Sequence, residues 1–347
     1  MRYRVFGSHT GLQVSELSLG TGNFGTGWGY GSTRDVAKQV FDGYAEAGGN
    51  FIDTADVYQF GEAETLLSEF IAPKRDNLVI ATKYTQGSTA NPTVQGVGNS
   101  RKSMIQSVEA SLKRLKTDRI DLLWAHIADS VTPVEEIMRG FEDLTRSGKI
   151  IYAGFSNFAA WRIASAATLA ALRGWTPVVG LQTEYSLVER SADRDLLPMA
   201  QAFGLGTVGW SPLGGGLLTG KYRKGEAGRA TGLGAVIQYE DTAQRTSIVD
   251  TVLAIAAETG ASPGQVGIAW VASKGVLPII GPKNLDQLKD NLEAANVALS
   301  PNQIERLDTV SAIPLGAPHD MVTSQRTRTR LAGGKPHLVD VSAASVI

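Results

Sequence analysis

Cysteine is missing from all 347 residues. Its absence excludes disulfides, thiolate metal sites and a cysteine nucleophile, and is compatible with a reducing compartment. An excess of either charge is missing too: 33 Lys and Arg stand against 34 Asp and Glu, for a formal net charge of -1. The cations are dispersed, so there is no basic stripe for nucleic acid and no polybasic patch for a membrane surface, and neither partner is expected. No uncharged apolar run reaches the roughly 18 residues of a membrane span. The opening residues M-R-Y-R-V-F-G lack the apolar core of a secretory signal, and the expected location is cytoplasmic. No Pro/Ser-rich linker or break in composition divides the chain.

What is present is 43% hydrophobic residues, enough for a large core. Tyr3 to Phe6 and Gln13 to Leu17 flank a small, polar turn at Gly7 to Gly11, which predicts a β-hairpin. Eight short apolar runs follow as strands: Leu17–Leu19, Phe51–Asp53, Val79–Thr82, Ile120–Trp124, Ile151–Phe155, Val178–Gln182, Thr207–Trp210 and Leu277–Ile280. Amphipathic helical patterns separate them, at Thr33–Ala47, Glu62–Ile71, Ser100–Lys116, Pro133–Ser147, Ala159–Leu172 and Arg194–Phe203, several ending on glycine. A long Gly-rich stretch from Gly214 to Asp241 comes after the seventh strand. Helices are expected at Ser247–Thr259, Pro263–Ser273, Leu285–Ala294 and Pro301–Val310, then a loop-like end from Ser311 to Ile347 with a basic patch at Arg326–Arg330.

Such alternation predicts parallel strands with right-handed crossovers. In one domain of this size the expected architecture is an α/β (β/α)8 TIM barrel over residues 1–310, with an N-terminal hairpin, a long loop after strand seven and a C-terminal extension over 311–347. An open doubly wound sheet is the rival arrangement.

Gly20-Thr-Gly22-Asn-Phe-Gly25 matches G-x-G-x-x-G directly after a strand. A dinucleotide fingerprint needs a helix to begin inside the motif, which Thr26-Gly-Trp-Gly-Tyr-Gly31 cannot do. The acid about 20 residues on would be Asp42, in mid-helix. A flexible loop at a barrel mouth fits better, with Phe24, Trp28 and Tyr30 able to line a substrate pocket; a plain surface loop is the alternative.

In a barrel the C-terminal strand ends share one pocket. They carry Asp53, Lys83, His126, Ser156 and Asn157, Gln182, and Trp210 with Ser211, and Tyr58 joins from the second loop. Singly each has a structural explanation: surface cation, satisfied core histidine, turn former, core indole. Jointly they supply a cation, a carboxylate, a phenol, an imidazole, two amides and an indole.

The segments D-T-A-D-V-Y (53–58), A-T-K (81–83), D-L-L-W-A-H (121–126), G-K-I-I-Y-A-G-F-S-N-F (148–158), Q-T-E-Y-S-L (182–187) and W-S-P-L-G-G-G-L-L-T-G-K-Y (210–222) resemble the aldo-keto reductases, in order, over about residues 1–310. The resemblance implies a metal-free oxidoreductase that reduces an aldehyde or ketone with NADP(H), using Asp53, Tyr58, Lys83 and His126 as catalytic residues. Tyr58 would be the general acid. Moving a phenol from near 10 towards 7 takes about three units, or roughly 4 kcal/mol, much of which one close ammonium in a poorly solvated pocket supplies. Asp53 would keep Lys83 charged, and His126 would donate a hydrogen bond to the substrate oxygen.

The resemblance also implies the cofactor contacts. Ser156, Asn157 and Gln182 would hold the carboxamide and Trp210 would stack on the nicotinamide, with Gly20 and Thr21 nearby. Ser211, Leu213 and Gly214, in the loop to Gly216, with Gly220 and Lys221, would wrap the pyrophosphate; Gly281, Lys283, Gln287 and Asn291 would take the 2'-phosphate and adenine. Many members carry Arg where this chain has Gln287, which leaves Lys283 as the clear cation there; a solvated Lys283 is the alternative. Trp28, Tyr30, Phe24 and Tyr84 hint at an apolar or cyclic substrate. The loop style is similar to microbial and potassium-channel-β-like branches, so a cofactor-binding regulatory subunit with incidental turnover is the second reading. A homo-oligomer is compatible with the sequence, and the arginines at 326, 328 and 330 could serve a contact.

Overall fold

A computed structural model describes residues 1–224 and 239–339 of the chain. The hairpin forms as β1 (Tyr3–Val5) and β2 (Gln13–Ser15), antiparallel, with Val5 opposite Gln13. Eight strands then close a barrel: β3 (Ser18–Gly20), β4 (Phe51–Asp53), β5 (Val79–Tyr84), β6 (Ile120–Ala125), β7 (Ile150–Ser156), β8 (Val178–Glu184), β9 (Gly206–Trp210) and β10 (Leu277–Ile280). Every neighbouring pair is parallel, and β10 returns to β3 through Ile279 opposite Ser18 and Ile280 opposite Leu19. This is the expected (β/α)8 barrel with its hairpin, and the open sheet is ruled out.

The outer helices are α1 (Arg34–Glu46), α2 (Glu62–Ile71), α3 (Arg101–Leu115), α4 (Val134–Arg146), α5 (Ala160–Arg173), α6 (Leu196–Ala202), α7 (Ala243–Thr259), α8 (Pro263–Ser273), α9 (Leu285–Glu293) and α10 (Pro301–Val310). Most match the helical patterns within a residue or two. Helix α7 starts four residues earlier than its apolar spacing suggests, because the Thr242 side chain accepts from Arg245 N and caps it. The S-P-x-Q openings of α8 and α10 form full capping boxes, Ser262 with Gln265 and Ser300 with Gln303.

Two layers of core follow from strand alternation. Val79, Ala81, Leu122, Trp124, Phe51 and Val208 fill the barrel interior, while Ile80, Tyr84, Leu123, Ile52 and Phe155 pack outward against the helices. Phe6, just after β1, plugs the end of the barrel opposite the C-terminal strand ends, 5.7 Å from the Phe51 ring and 6.4 Å from that of Trp124. Glycine makes room for it: a Cβ on Gly206 would lie 2.7 Å from the Phe6 ring.

The stretch beyond Ser311 differs from the loop expected. It carries two short helices, α11 (His319–Thr323) and α12 (Gln325–Leu331), the latter capped by Ser324 accepting from Thr327 N. Its sequence Q-R-T-R-T-R-L has no apolar periodicity, which is why no helix was expected there. Arg190 and Arg194 tie the start of this extension down, donating to Ser311 Oγ and Pro314 O. Of the long Gly-rich stretch expected from Gly214 to Asp241, residues 225–238 lie outside the described residues, as do residues 340–347 of the tail. Among the described residues no helix is long and apolar enough to cross a membrane.

Candidate active site

The C-terminal ends of β4, β5 and β6 bring Asp53, Lys83 and His126 to one rim, and the turn after β4 adds Tyr58. Parity does the placing. Lys83 is two residues on from Ala81, an interior residue, so it too points inward, at the rim where the barrel opens.

Lys83 is 1% exposed, and each of its N–H groups has a partner. Its Nζ donates to Asp53 Oδ2, to Thr54 O at 2.8 Å and to Tyr58 Oη at 3.0 Å. Burial works against the ammonium, but Asp53 and Tyr58 together outweigh it, so Lys83 stays above the ordinary lysine range. Asp53 is itself buried and fixed on both oxygens, with Oδ1 accepting from Gln182 Nε2 at 2.8 Å. The Tyr58 ring lies edge-on to His126, with centroids 6.0 Å apart. His126 is held well below the usual histidine range, by burial first and then by the Lys83 charge, so its imidazole is neutral at pH 7. The site therefore joins a phenol to a buried cation and a neutral imidazole.

The residues expected to touch cofactor fall into three groups. Asn157, at φ 55°, is a bracket between strand ends: its Nδ2 donates to His126 O and Ser156 Oγ, and its Oδ1 accepts from Trp210 Nε1 at 3.1 Å. With both ends so engaged, it orients the indole. Gln182 spends its amide N–H on Asp53, and its oxygen has no hydrogen bond among the described residues. Gly20 and Thr21 are buried, and Thr21 donates from both N and Oγ1 to Asp53 O, so these two hold the end of β4 and do not offer side chains to the mouth.

Beyond β9 the chain turns tightly. Ser211 has φ 58°, and Gly214, Gly215 and Gly216 have φ of 55°, 66° and 98° in succession, a fold that side chains resist. A Cβ on Gly216 would come 2.9 Å from Lys221 Cε. Leu213 accepts from Gly216 N, and Gly220 closes the turn. At the start of α9, Asn284 accepts from Gln287 N, and Gln287 Oε1 accepts from Lys283 N, so Gln287 caps the helix start. Gly281 is exposed beside Lys283, and Asn291, one turn beyond Gln287, is buried.

Two of the four expected pocket residues are corrected. Phe24 is fully buried and packs on Phe70 at 6.3 Å, and Tyr84 is fully buried and packs on Phe141 at 6.5 Å. Tyr84 follows the inward Lys83 and must face the helices; Phe24 drops beneath a turn that the left-handed Gly25 makes. Trp28 lies 6.0 Å edge-on from the Tyr58 ring, and Tyr30 packs on Trp28 with ring centroids 5.8 Å apart.

Sequence reading missed four residues. Gln59 is buried, accepts from Trp28 N at 2.8 Å and donates to Gly22 O, while Glu62 Oε2 accepts from Thr26 N and Gly27 N. Phe60 extends the aromatic wall, 6.4 Å from Trp28. Gln86 contacts His126. Gln59 and Glu62 sit one and four places after Tyr58, where nearness to the motif was the available signal.

A model described as Aldo/keto reductase family matches residues 16–312. Among curated relatives, the aldo-keto reductase ausK of Aspergillus calidoustus is 35% identical over 95% of this chain and 87% of its own length. A norsolorinic acid reductase of Aspergillus flavus is 34% identical over 94% of this chain and 85% of its own. An aryl-alcohol dehydrogenase (NADP(+)) of Phanerodontia chrysosporium is 33% identical over 92% and 88%.

Proposed function

Because the chain belongs to the aldo/keto reductase family, an oxidoreductase family, we propose that it reduces an aldehyde or ketone to an alcohol with NADPH, with Tyr58 as the proton donor. The observation that carries the reading is the buried Lys83 ammonium shared among Asp53, Thr54 O and Tyr58 Oη. A cation at 3.0 Å stabilises a phenolate far more than a phenol, so it eases loss of the Tyr58 proton at the moment a carbonyl oxygen gains charge. Asp53 keeps that cation protonated in a place where burial alone would strip it. His126, neutral, donates a hydrogen bond to the same oxygen and orients it.

When bound, reduced nicotinamide supplies the hydride. The residues present fit such a cofactor. The three left-handed glycines from Gly214 to Gly216 make a turn without side chains, closed by their N–H groups donating to Ser211 O, Ser211 Oγ and Leu213 O, so phosphate oxygens could come close to the backbone there, with Ser211, Leu213, Gly220 and Lys221 around them. Gln182 Oε1 and Ser156 are available to the carboxamide, Trp210 to the ring face, and Lys283 with the N-terminus of α9, Gly281, Gln287 and Asn291 to a 2'-phosphate and adenine. Trp28, Tyr30 and Phe60 form a wall beside Tyr58 suited to a flat, apolar substrate. The name of the Phanerodontia relative agrees with aromatic aldehydes and NADP as the first choices.

The test is NADPH consumption by the full chain across a panel of aromatic and aliphatic carbonyl compounds. Tyr58→Phe is expected to bind NADPH as the parent does and to lose at least about 100-fold in kcat. Turnover by Tyr58→Phe at the parental rate would remove Tyr58 as the acid. No turnover of any carbonyl despite tight NADPH binding would replace the reductase reading with a regulatory one.

A further inference from the structure

We propose that Gln86 is a positioning residue that fixes His126 in the tautomer carrying its proton on Nε2. The kinetic consequence rests on the carbonyl-reduction reading; the tautomer does not. Gln86, immediately beyond β5, places its Nε2 3.2 Å from His126 Nδ1. A carboxamide NH2 has hydrogens to give and no lone pair to offer, so Nδ1 must be the accepting nitrogen. His126 is 8% exposed and faces the Lys83 charge, which leaves it neutral with a single ring N–H. That N–H is then on Nε2, the nitrogen left to act as a donor.

The other hydrogen bonds of His126 hold its backbone and not its ring. Its N donates to Tyr84 O and Thr85 Oγ1, and its O accepts from Asn157 Nδ2. Ring protonation therefore depends on Gln86. Gln86 follows Thr85, which sits at φ 124° and whose hydroxyl donates to Asn99 Oδ1 at 2.8 Å. The reversed amide would pair Oε1 with Nδ1–H, leaving Nε2 with a lone pair that repels a substrate carbonyl oxygen and cannot stabilise charge there.

The chain holds four histidines, at 9, 126, 319 and 337, so the full-length protein labelled with 15N-histidine gives a simple ring spectrum. Two-bond proton–nitrogen correlations at neutral pH report the tautomer, with the His126 signals assigned by their loss in His126→Asn. The expected parental pattern is Nε2–H with a bare Nδ1. Gln86→Glu, whose carboxylate can only accept, is expected to move the proton to Nδ1 or to give imidazolium, and to lower kcat about 10- to 100-fold while the KM for NADPH stays within about twofold. Gln86→Leu is expected to give a mixture of tautomers and a smaller loss. A parental Nδ1–H pattern, a ring pattern unchanged in Gln86→Glu, or a changed pattern at parental kcat would each overturn the proposal. A parent with the Nε2–H pattern but no reductase activity would instead count against the reductase reading and leave the Gln86 assignment standing.

Discussion

Asp56 shows how one side chain in the motif proposed to carry the chemistry can serve the fold. It lies between Asp53 and Tyr58, yet its Oδ2 accepts from Ser107 Oγ on α3, and its Oδ1 is buried with no hydrogen-bond partner. Burial, and then the nearby Glu64 carboxylate, push it up to about 7 from 3.8, while Arg114, committed to Glu64, compensates only in part. A carboxyl raised in the folded state keeps a proton that the unfolded chain has released, so its contribution is full below about pH 4, falls as pH rises towards 7, and is then lost. Three units correspond to at most roughly 4 kcal/mol. Asp56→Asn retains an oxygen for Ser107 without the charge. Thermal unfolding should show the variant more stable than the parent by about 2–5 °C near pH 8, with the gap closing near pH 5. A gap independent of pH between the two would show that Asp56 is not the titrating group.

At the scale of elements, the loop between β3 and α1 is organised by the segment that follows Tyr58. Gln59 and Phe60 take left-handed backbone, φ 52° and 56°, at a cost of order 1–3 kcal/mol each. The turn they make aims Gln59 and Glu62, the first residue of α2, at the backbone of Gly22, Thr26, Gly27 and Trp28. Trp28 is thus set beside Tyr58 by the chain that carries Tyr58. Hydrogen bonds to a charged group are worth about 1.5–3 kcal/mol each, so Glu62→Ala should release the loop without unfolding α2. Amide exchange at Thr26 and Gly27 should quicken by about tenfold or more, and the carbonyl KM should rise several-fold with kcat within about twofold. Exchange at the parental rate would mean that Glu62 does not hold the loop.

For the whole molecule, the barrel was legible because strands buried on both faces read as short, mostly apolar runs, such as Leu122–Ala125 in β6 and Val178–Leu181 in β8. The grouping of Asp53, Tyr58, Lys83 and His126 at one rim was legible because their motifs sit at or just after strand ends. Tyr84 could have been placed by the alternation that put Lys83 inside, whereas Phe24, Gln59 and Gln86 depend on loop backbone that no periodicity reports. Nor does sequence show how the rim closes between first and last strands. Asn23 Nδ2 donates to Gly281 O and Ser32 Oγ to Lys283 O, so the loop carrying the aromatic wall is laced to the segment proposed for the 2'-phosphate. A ligand there braces the seam where β10 meets β3 through two residue pairs. Binding to the native state alone adds about 2.7 kcal/mol at a hundredfold excess over Kd, so NADPH should raise the unfolding temperature of the full chain more than NADH at equal concentration. Lys283→Met removes the cation but not the backbone carbonyl that Ser32 grips, so it should leave the cofactor-free unfolding temperature within about 1 °C and the NADH shift intact. The NADPH shift should fall to the NADH value. Equal losses for both cofactors would place the 2'-phosphate away from Lys283.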